Sequence, residues 1–223
     1  MIKMLKLTVF CYALAAQFCA VFAYDAVLDE YIPAADRPHV IDMVYYAIVT
    51  DDRGNTKYSA WLLTAERMSA PACERTGLRF VATHGAPHPR NYAASGYDTG
   101  HLCPAEDMRF AIDAMRATFD TINAIPQTPR LNRGVWKSLE TQCRKWASAG
   151  NELILIAGPL YRAQPPPVIG PDKIRVPSHC FKLVINRTTG ETAGYIFPNT
   201  PDISGVPAQF RTETAQVKQV ANL

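Results

Sequence analysis

An excess of charge of either sign is what this sequence lacks most. Its 23 Lys and Arg stand against 20 Asp and Glu, a formal +3 over 223 residues. Residues 1–23 hold Lys3 and Lys6 and no acid, so a chain beginning at Tyr24 carries only +1. A chain this close to neutral sets up no global field for a polyanion; nucleic-acid binding would have to come from a local basic cleft and a metal. Past residue 23 there is no apolar run long enough to span a membrane. Internal repeats are absent, and so is any Cys-x-x-Cys pair of the kind structural zinc sites favour. With 48% hydrophobic residues, 17 Pro and 12 Gly, the composition excludes fibrous and low-complexity chains and describes a globular one.

The first residues are a separate matter. Residues 1–6 are short and basic, 7–22 almost continuously apolar, and Val21-Phe22-Ala23 places small side chains before Tyr24-Asp25. This is the pattern of a cleaved secretory signal over residues 1–23, predicting a secreted or periplasmic protein with no stable membrane association after signal removal. An uncleaved anchor is the alternative. Of six cysteines, Cys11 and Cys19 fall in the removable segment, leaving Cys73, Cys103, Cys143 and Cys180. An even number in an exported chain suggests disulfides, with three possible pairings. A zinc site using His101, Cys103, Cys143 and Cys180 is the other reading of the same residues.

Residues 24–223 suffice for one domain with a substantial core. Residues 44–49 and 58–63 are rich in β-formers and flank Asp51-Asp52-Arg53-Gly54-Asn55, which predicts a hairpin; 181–185 and 193–197 flank Thr188-Thr189-Gly190 in the same way. Residues 70–96, with Pro71, Pro87 and Pro89, read as a long irregular loop. A helix is expected over 132–148, stopped by Gly150, with weaker helical patterns at 106–119 and 207–221. Residues 153–156 read as a buried strand ended by Gly158-Pro159. Several strands with few helices between them predict an α+β fold with a mixed, mainly antiparallel sheet.

Two clusters could carry chemistry. In Asp98-Thr99-Gly100-His101-Leu102-Cys103-Pro104, a His between a conformationally free Gly and a rigid Pro is placed, and Asp98 could orient it. Imidazole serves as a general base near neutral pH. The second cluster runs from Asn123-Ala124-Ile125-Pro126-Gln127 through Leu131-Asn132-Arg133-Gly134-Val135-Trp136 to Leu139-Glu140. On one continuous helix, residues eight apart lie ~12 Å apart along the axis, too far to share a small cation directly. Asn132 could supply a direct oxygen while the longer Glu140 reaches a water of the ion's shell, which suits Mg²⁺. Read singly, Asn132 is an N-cap, Glu140 a solvated helix residue and His101 a structural histidine. His84 and His88 have a helical metal spacing, but Gly85, Pro87 and Pro89 forbid a helix there. Of Tyr45 and Tyr46, adjacent in a predicted strand, at least one belongs to the core.

Taken in order, these motifs closely resemble the DNA/RNA non-specific endonucleases of the ββα-metal, or His-Me finger, type, whose first block reads Asp-Arg-Gly-His-x-x-Pro. Gly158-Pro159-Leu160-Tyr161, Val176-Pro177-Ser178 and Phe181-Lys182 are similar to later segments of that family, so the likeness spans residues 45–197. The resemblance implies a ββα-metal finger active site and a Mg²⁺-dependent hydrolysis of DNA and RNA leaving 5′-phosphate ends, with Mn²⁺ as a replacement ion. It makes His101 the general base, Asn132 the sole direct metal ligand and Glu140 the holder of the ion's waters. Asn123 would support the His loop or the phosphate. A protein inhibitor is a further implied partner. One departure stands out: Thr99 replaces the family's usual Arg and cannot offer a phosphate a charged fork. Arg75, five residues before Phe80, is the first candidate to compensate; Arg79 and Arg90 share its loop, and Arg133 or Arg109 could serve phosphates as well. The alternative function is a catalytically weakened nucleic-acid or protein binding module on the same scaffold.

Overall fold

A computed structural model describes residues 25–223. The expected signal segment, residues 1–23, lies outside the described residues. After 3-10 turns at Ala26–Glu30 and Ala34–His39 come β1 (Val40–Asp42), β2 (Tyr46–Thr50), β3 (Thr56–Leu63) and the short helix α1 (Ala65–Ser69). Next are β4 (Asp98–His101), α2 (Ile112–Ala117), β5 (Ala124–Gln127), α3 (Lys137–Ser148) and β6 (Leu153–Leu160). The chain ends with β7 (Val168–Ile169), β8 (Ile174–Arg175), β9 (His179–Asn186), β10 (Thr192–Pro198), β11 (Arg211–Thr212) and α4 (Thr214–Ala221).

Seven strands form one sheet in the order β1-β2-β3-β6-β9-β10-β11, antiparallel throughout. Both predicted hairpins are there, β2–β3 and β9–β10. Side chains alternate across a strand, so each strand feeds two cores. Tyr46, Ile48, Trp61, Leu63, Leu155, Val184 and Phe197 face the core under α3. Ala47, Val49, Tyr58, Ala60, Ile154, Ile156 and Leu183 face the core closed by Leu28, Ile32 and, from α4, Val217. A sheet covered on both faces explains the unbroken apolar run Leu153-Ile154-Leu155-Ile156.

That strand does not stop at Gly158-Pro159 as expected; β6 runs on to Leu160. A Cβ on Gly158 would lie 2.2 Å from the Lys57 carbonyl oxygen, so glycine is there for a close approach and not for a turn. Pro159 falls where only β9 pairs with β6, so its missing N–H interrupts no second ladder. The helical pattern at 106–119 resolves into a 3-10 turn at Ala105–Met108 and α2, and 207–221 into a 3-10 turn, β11 and α4. Within 70–96 the regular elements are a 3-10 turn at Pro89–Tyr92 and a single bridge from Val81 to Asp120.

The expected disulfides are not formed. Cys73, Cys103, Cys143 and Cys180 are free, and the last three are buried core residues. Burial pushes the Cys143 and Cys180 thiols up to about 12 and Cys103 well above its ordinary range, which keeps all three protonated and inert. Among the described residues no group of three or more His, Cys, Asp or Glu gathers to hold a metal, so the zinc reading of these cysteines is also set aside.

Candidate active site

On the α3 side of the sheet, β4 and β5 pair as a separate two-stranded ribbon with His101 opposite Ala124 and Asp98 opposite Gln127. Gly100 in its middle is not in the left-handed region. Its lack of a side chain admits the buried Gln127, whose Oε1 would be 2.2 Å from a Cβ. The expectation that Gly100 supplies backbone freedom is thus replaced by one of close packing.

His101 is partly buried at the end of β4, its ring centroid 4.7 Å from Phe80 and 5.0 Å from Phe119. Its Nε2 is buried and has no hydrogen-bond partner. Burial first, then the Arg75 cation, drives the imidazole down to about 3, so it is neutral at physiological pH. The Arg75 guanidinium carbon stands 5.0 Å from the Phe119 ring, on the same aromatic wall. Arg79 is exposed and no contact ties it to the site.

Asn123 is fully buried. Its Oδ1 accepts from Ser59 Oγ and Cys103 N at 3.0 Å each, and its Nδ2 donates to the carbonyls of Cys103 at 2.9 Å and Thr118 at 3.1 Å. All its hydrogen-bonding positions are used. Asn123 therefore fastens the segment after His101 and cannot reach a phosphate.

Asp98 and His101 are three apart on a strand and point to opposite sides. Asp98 does not orient the histidine, contrary to the sequence expectation. Its partners come from the turn before α3: Asn132 Nδ2 donates to Oδ2 at 2.9 Å, Arg133 Nε to Oδ2 at 2.8 Å and Arg133 Nη2 to Oδ1 at 2.6 Å. Burial works against the charge, but the hydrogen bonds from Arg133 and Asn132 prevail and hold Asp98 below its usual carboxylate range. Thr99 faces the His101 side of β4 and is half-buried.

The single helix expected over 132–148 is broken. Leu131–Trp136 is a wide turn in which Gly134 takes φ −102° and ψ −113°, and α3 starts only at Lys137. The straight-helix separation of Asn132 and Glu140 therefore does not apply. Nor is Glu140 a solvated helix residue. Its side chain is 12% exposed, and Oε1 lies 3.5 Å from Nζ of Lys182, which is 1% exposed. That ammonium sits 4.1 Å from the Trp136 ring and 5.4 Å from Trp61. Beside it, Arg144 and the Trp61 indole N–H both bind Asp107, at 2.8 and 2.9 Å. Burial raises the Glu140 carboxyl, with Lys182 opposing. Sequence reasoning missed Asp107 and Arg144, and it named Lys182 and Phe80 without giving either a role at the site. The visible signal was a lysine inside the otherwise apolar alternation of β9.

A ββα finger, made by β4, β5 and the turn into α3 and set against an antiparallel sheet, defines the α+β fold of the ββα nucleases. The sequence profile described as DNA/RNA non-specific endonuclease matches residues 26–221. The chain belongs to that family. It is 30% identical to Nuclease 1, mitochondrial, of Schizosaccharomyces pombe over 86% of this chain and 66% of that protein. It is 32% identical to Endonuclease G, mitochondrial, of Bos taurus over 53% of this chain and 44% of that protein. The chain thus spans less than two thirds of the length of these curated relatives. A chain from the crystal structure of the EndoG/EndoGI complex superposes with a TM-score of 0.72 at 25% identity, covering 83% of this chain and 84% of that one. The mitochondrial relatives overturn the secreted or periplasmic location expected from the first residues.

Proposed function

We propose that this protein is a metal-dependent endonuclease that hydrolyses phosphodiester bonds of DNA and RNA, with His101 as general base. The observation that carries the reading is the His101 ring itself: neutral, walled by Phe80 and Phe119, with a buried Nε2 that has no hydrogen-bond partner among the described residues. An orphaned buried ring nitrogen costs stability and does nothing for a module that only binds. In a hydrolase it is the atom that takes a proton from the attacking water.

The donor set suits a hard, strongly hydrated cation of the Mg²⁺ class, for which Mn²⁺ can substitute. Asp98 takes the Asn132 amide nitrogen, which leaves Asn132 Oδ1 to offer the ion a single neutral oxygen. Glu140, held by Lys182, is the acid available to the ion's waters. When bound, the ion supplies Lewis-acid charge at the phosphate and the leaving oxygen.

In the reaction, His101 takes a proton from water as the water oxygen bonds to phosphorus. The bond from phosphorus to the 3′ oxygen breaks, that oxygen takes a proton from a neighbouring water, and His101 returns its own proton to solvent, leaving a 5′-phosphate and a 3′-hydroxyl. An imidazole at about 3 is a weak base, but an arriving phosphate anion favours its protonated form and raises its basicity where it is needed. Arg75, beside the ring, is placed to meet that anion. Because the base belongs to the protein, no neighbouring 2′-hydroxyl is required, and both nucleic acids are substrates. A protein inhibitor is the expected partner class, by analogy with the inhibition named for the EndoG complex.

The test is cleavage of supercoiled plasmid and total RNA by the purified chain with Mg²⁺ or with EDTA, beside His101→Ala. Loss of both substrates only with Mg²⁺ and only with His101 is expected, the substitution costing about 10²–10⁴ in rate. A folded protein that leaves both substrates intact with Mg²⁺ and with Mn²⁺ would sink the reading.

A further inference from the structure

Arg133 differs from the other exposed arginines. Its side chain is 71% exposed, yet its guanidinium is held at two points by a carboxylate that is only 16% exposed. The surface pairs Arg116–Asp113 and Arg109–Glu106 join neighbours in sequence, with both partners at least 41% exposed. The Asp98 fork engages Nε and one N–H of Nη2. Three of the five guanidinium N–H donors, both on Nη1 and the outer one on Nη2, remain in the same plane and point away from Asp98. A long side chain has thus been ordered before any ligand arrives, and its free edge is the geometry that grips a phosphate. The same carboxylate oxygen receives Asn132 Nδ2, so the arginine is registered against the residue proposed above to offer the ion its oxygen.

A second observation lies next to it. A groove of about 490 Å³ is lined by Arg130, Arg133, Gly134, Ser138 and Ser204 together with apolar residues, and by no acid. Arg130 is exposed and has no carboxylate partner among the described residues. In a chain with only +3 overall, the groove lining brings two arginines and two hydroxyls together; Asp98 balances Arg133, and Arg130 is the cation left without a carboxylate among the described residues. Gly134, in its non-helical conformation, breaks the helix so that this lining starts beside Asn132.

We propose that Arg133, clamped by Asp98, and Arg130 form a phosphate-binding track on the Asn132 side of the cleft that holds the backbone of a nucleic-acid strand next to the bond being cut. The ligand class rests on the nuclease reading above. Contacts to phosphate position a strand without reading its bases, which suits a sequence-tolerant enzyme.

Binding without cleavage tests this. The full chain in EDTA is titrated with a fluorescent phosphorothioate duplex from 50 to 200 mM KCl, alongside Arg133→Gln, Arg130→Gln and Arg116→Gln. Each track substitution is expected to make the plot of log affinity against log salt shallower by about 0.9, while Arg116→Gln keeps the wild-type slope. Arg133→Gln weakening binding at an unchanged slope would overturn the proposal, because it would mean a structural effect passed through Asp98 and Asn132. Unchanged slopes in both track variants, or no binding by the parent chain, would overturn it as well. Shallower slopes in a protein that fails to cleave with Mg²⁺ would support the track and count only against the nuclease reading.

Discussion

The two faces of the seven-stranded sheet are built from the same strands and differ in what they bury. On the face closed by Leu28, Ile32 and α4 the contents are almost all apolar; the buried Asp36 there is answered by the Tyr58 hydroxyl and by Lys57. On the opposite face, Ser59, Asp107, Asn123, Gln127 and Lys182 are buried among the aromatic and aliphatic side chains. Lys182 and Leu183 are neighbours in β9 and fall on opposite faces. A strand that needs only to pack does not carry a fully buried lysine whose ammonium is paired with a buried carboxylate, Glu140, at 3.5 Å. Buried polarity is therefore concentrated on the face that carries the finger, where it fixes the His101 segment through Asn123 and Glu140 through Lys182.

The sharpest way to break this comparison is to cut on each side of it at adjacent positions. Lys182→Met leaves Glu140 buried without its cation and is expected to cost about 3–5 kcal/mol, with Mg²⁺-dependent cleavage falling further than the folded fraction. Leu183→Ala is expected to cost about 2–5 kcal/mol as a cavity, with cleavage per folded molecule unchanged. Urea unfolding and single-turnover cleavage on both variants decide the matter, and equal loss of activity per folded molecule would erase the distinction between the faces.

Gly100→Ala tests the packing of the ribbon itself. The new methyl would meet the buried Gln127 side chain at 2.2 Å, and the expected destabilisation is about 1–3 kcal/mol. Gly190→Ala, in the turn of the β9–β10 hairpin, has open space and only a left-handed φ of +78° to contend with. It should cost no more than about 1 kcal/mol. Thermal unfolding that ranks the two in the opposite order would remove the close-approach explanation of Gly100.

The smallest effect is a pH dependence. The unfolded imidazole titrates near 6.5 and the folded one at about 3, so between these values the unfolded chain holds the extra proton. Stability from His101 is fully present above pH 6.5, declines as the solution is acidified and levels off below 3; at pH 5 the loss is about 1–2 kcal/mol. The His101→Ala protein should lack that part of the slope. Parallel stability curves for the two proteins between pH 8 and 5 would show that His101 is not desolvated.

Much of the framework was legible. Both hairpins are marked by β-formers around Asp51-Asp52-Arg53-Gly54-Asn55 and Thr188-Thr189-Gly190, because local turn chemistry and strand propensity act within a few residues. Tyr46 is core and Tyr45 packs edge-on against Phe110, as adjacent strand residues require. The placement of His101 was legible from its neighbours, though not the reason for it. Local patterns failed where a distant contact overrides them. Gly158-Pro159 reads as a stop until Lys57 and Phe181 are packed against it. The helix over 132–148 fails differently: Gly134 leaves helical geometry with nothing packed within 4 Å of its Cβ position, so no distant contact accounts for the break. Four cysteines look alike in composition whether bridged or merely buried.

By itself the sequence determined the class of fold, its two main hairpins and the presence of a histidine, an asparagine and a glutamate at the spacing of one nuclease family. Only the tertiary structure decided which of these side chains meet. Asp98 belongs to Asn132 and Arg133, 34 and 35 residues away, and not to the nearby His101. Glu140 belongs to Lys182, and Asn123 to Ser59 and Cys103. The physical reason is range: periodicity and turn chemistry are properties of a short stretch of chain, whereas burial, ion pairing and the proton affinity of an imidazole are set by whatever the rest of the fold packs around them.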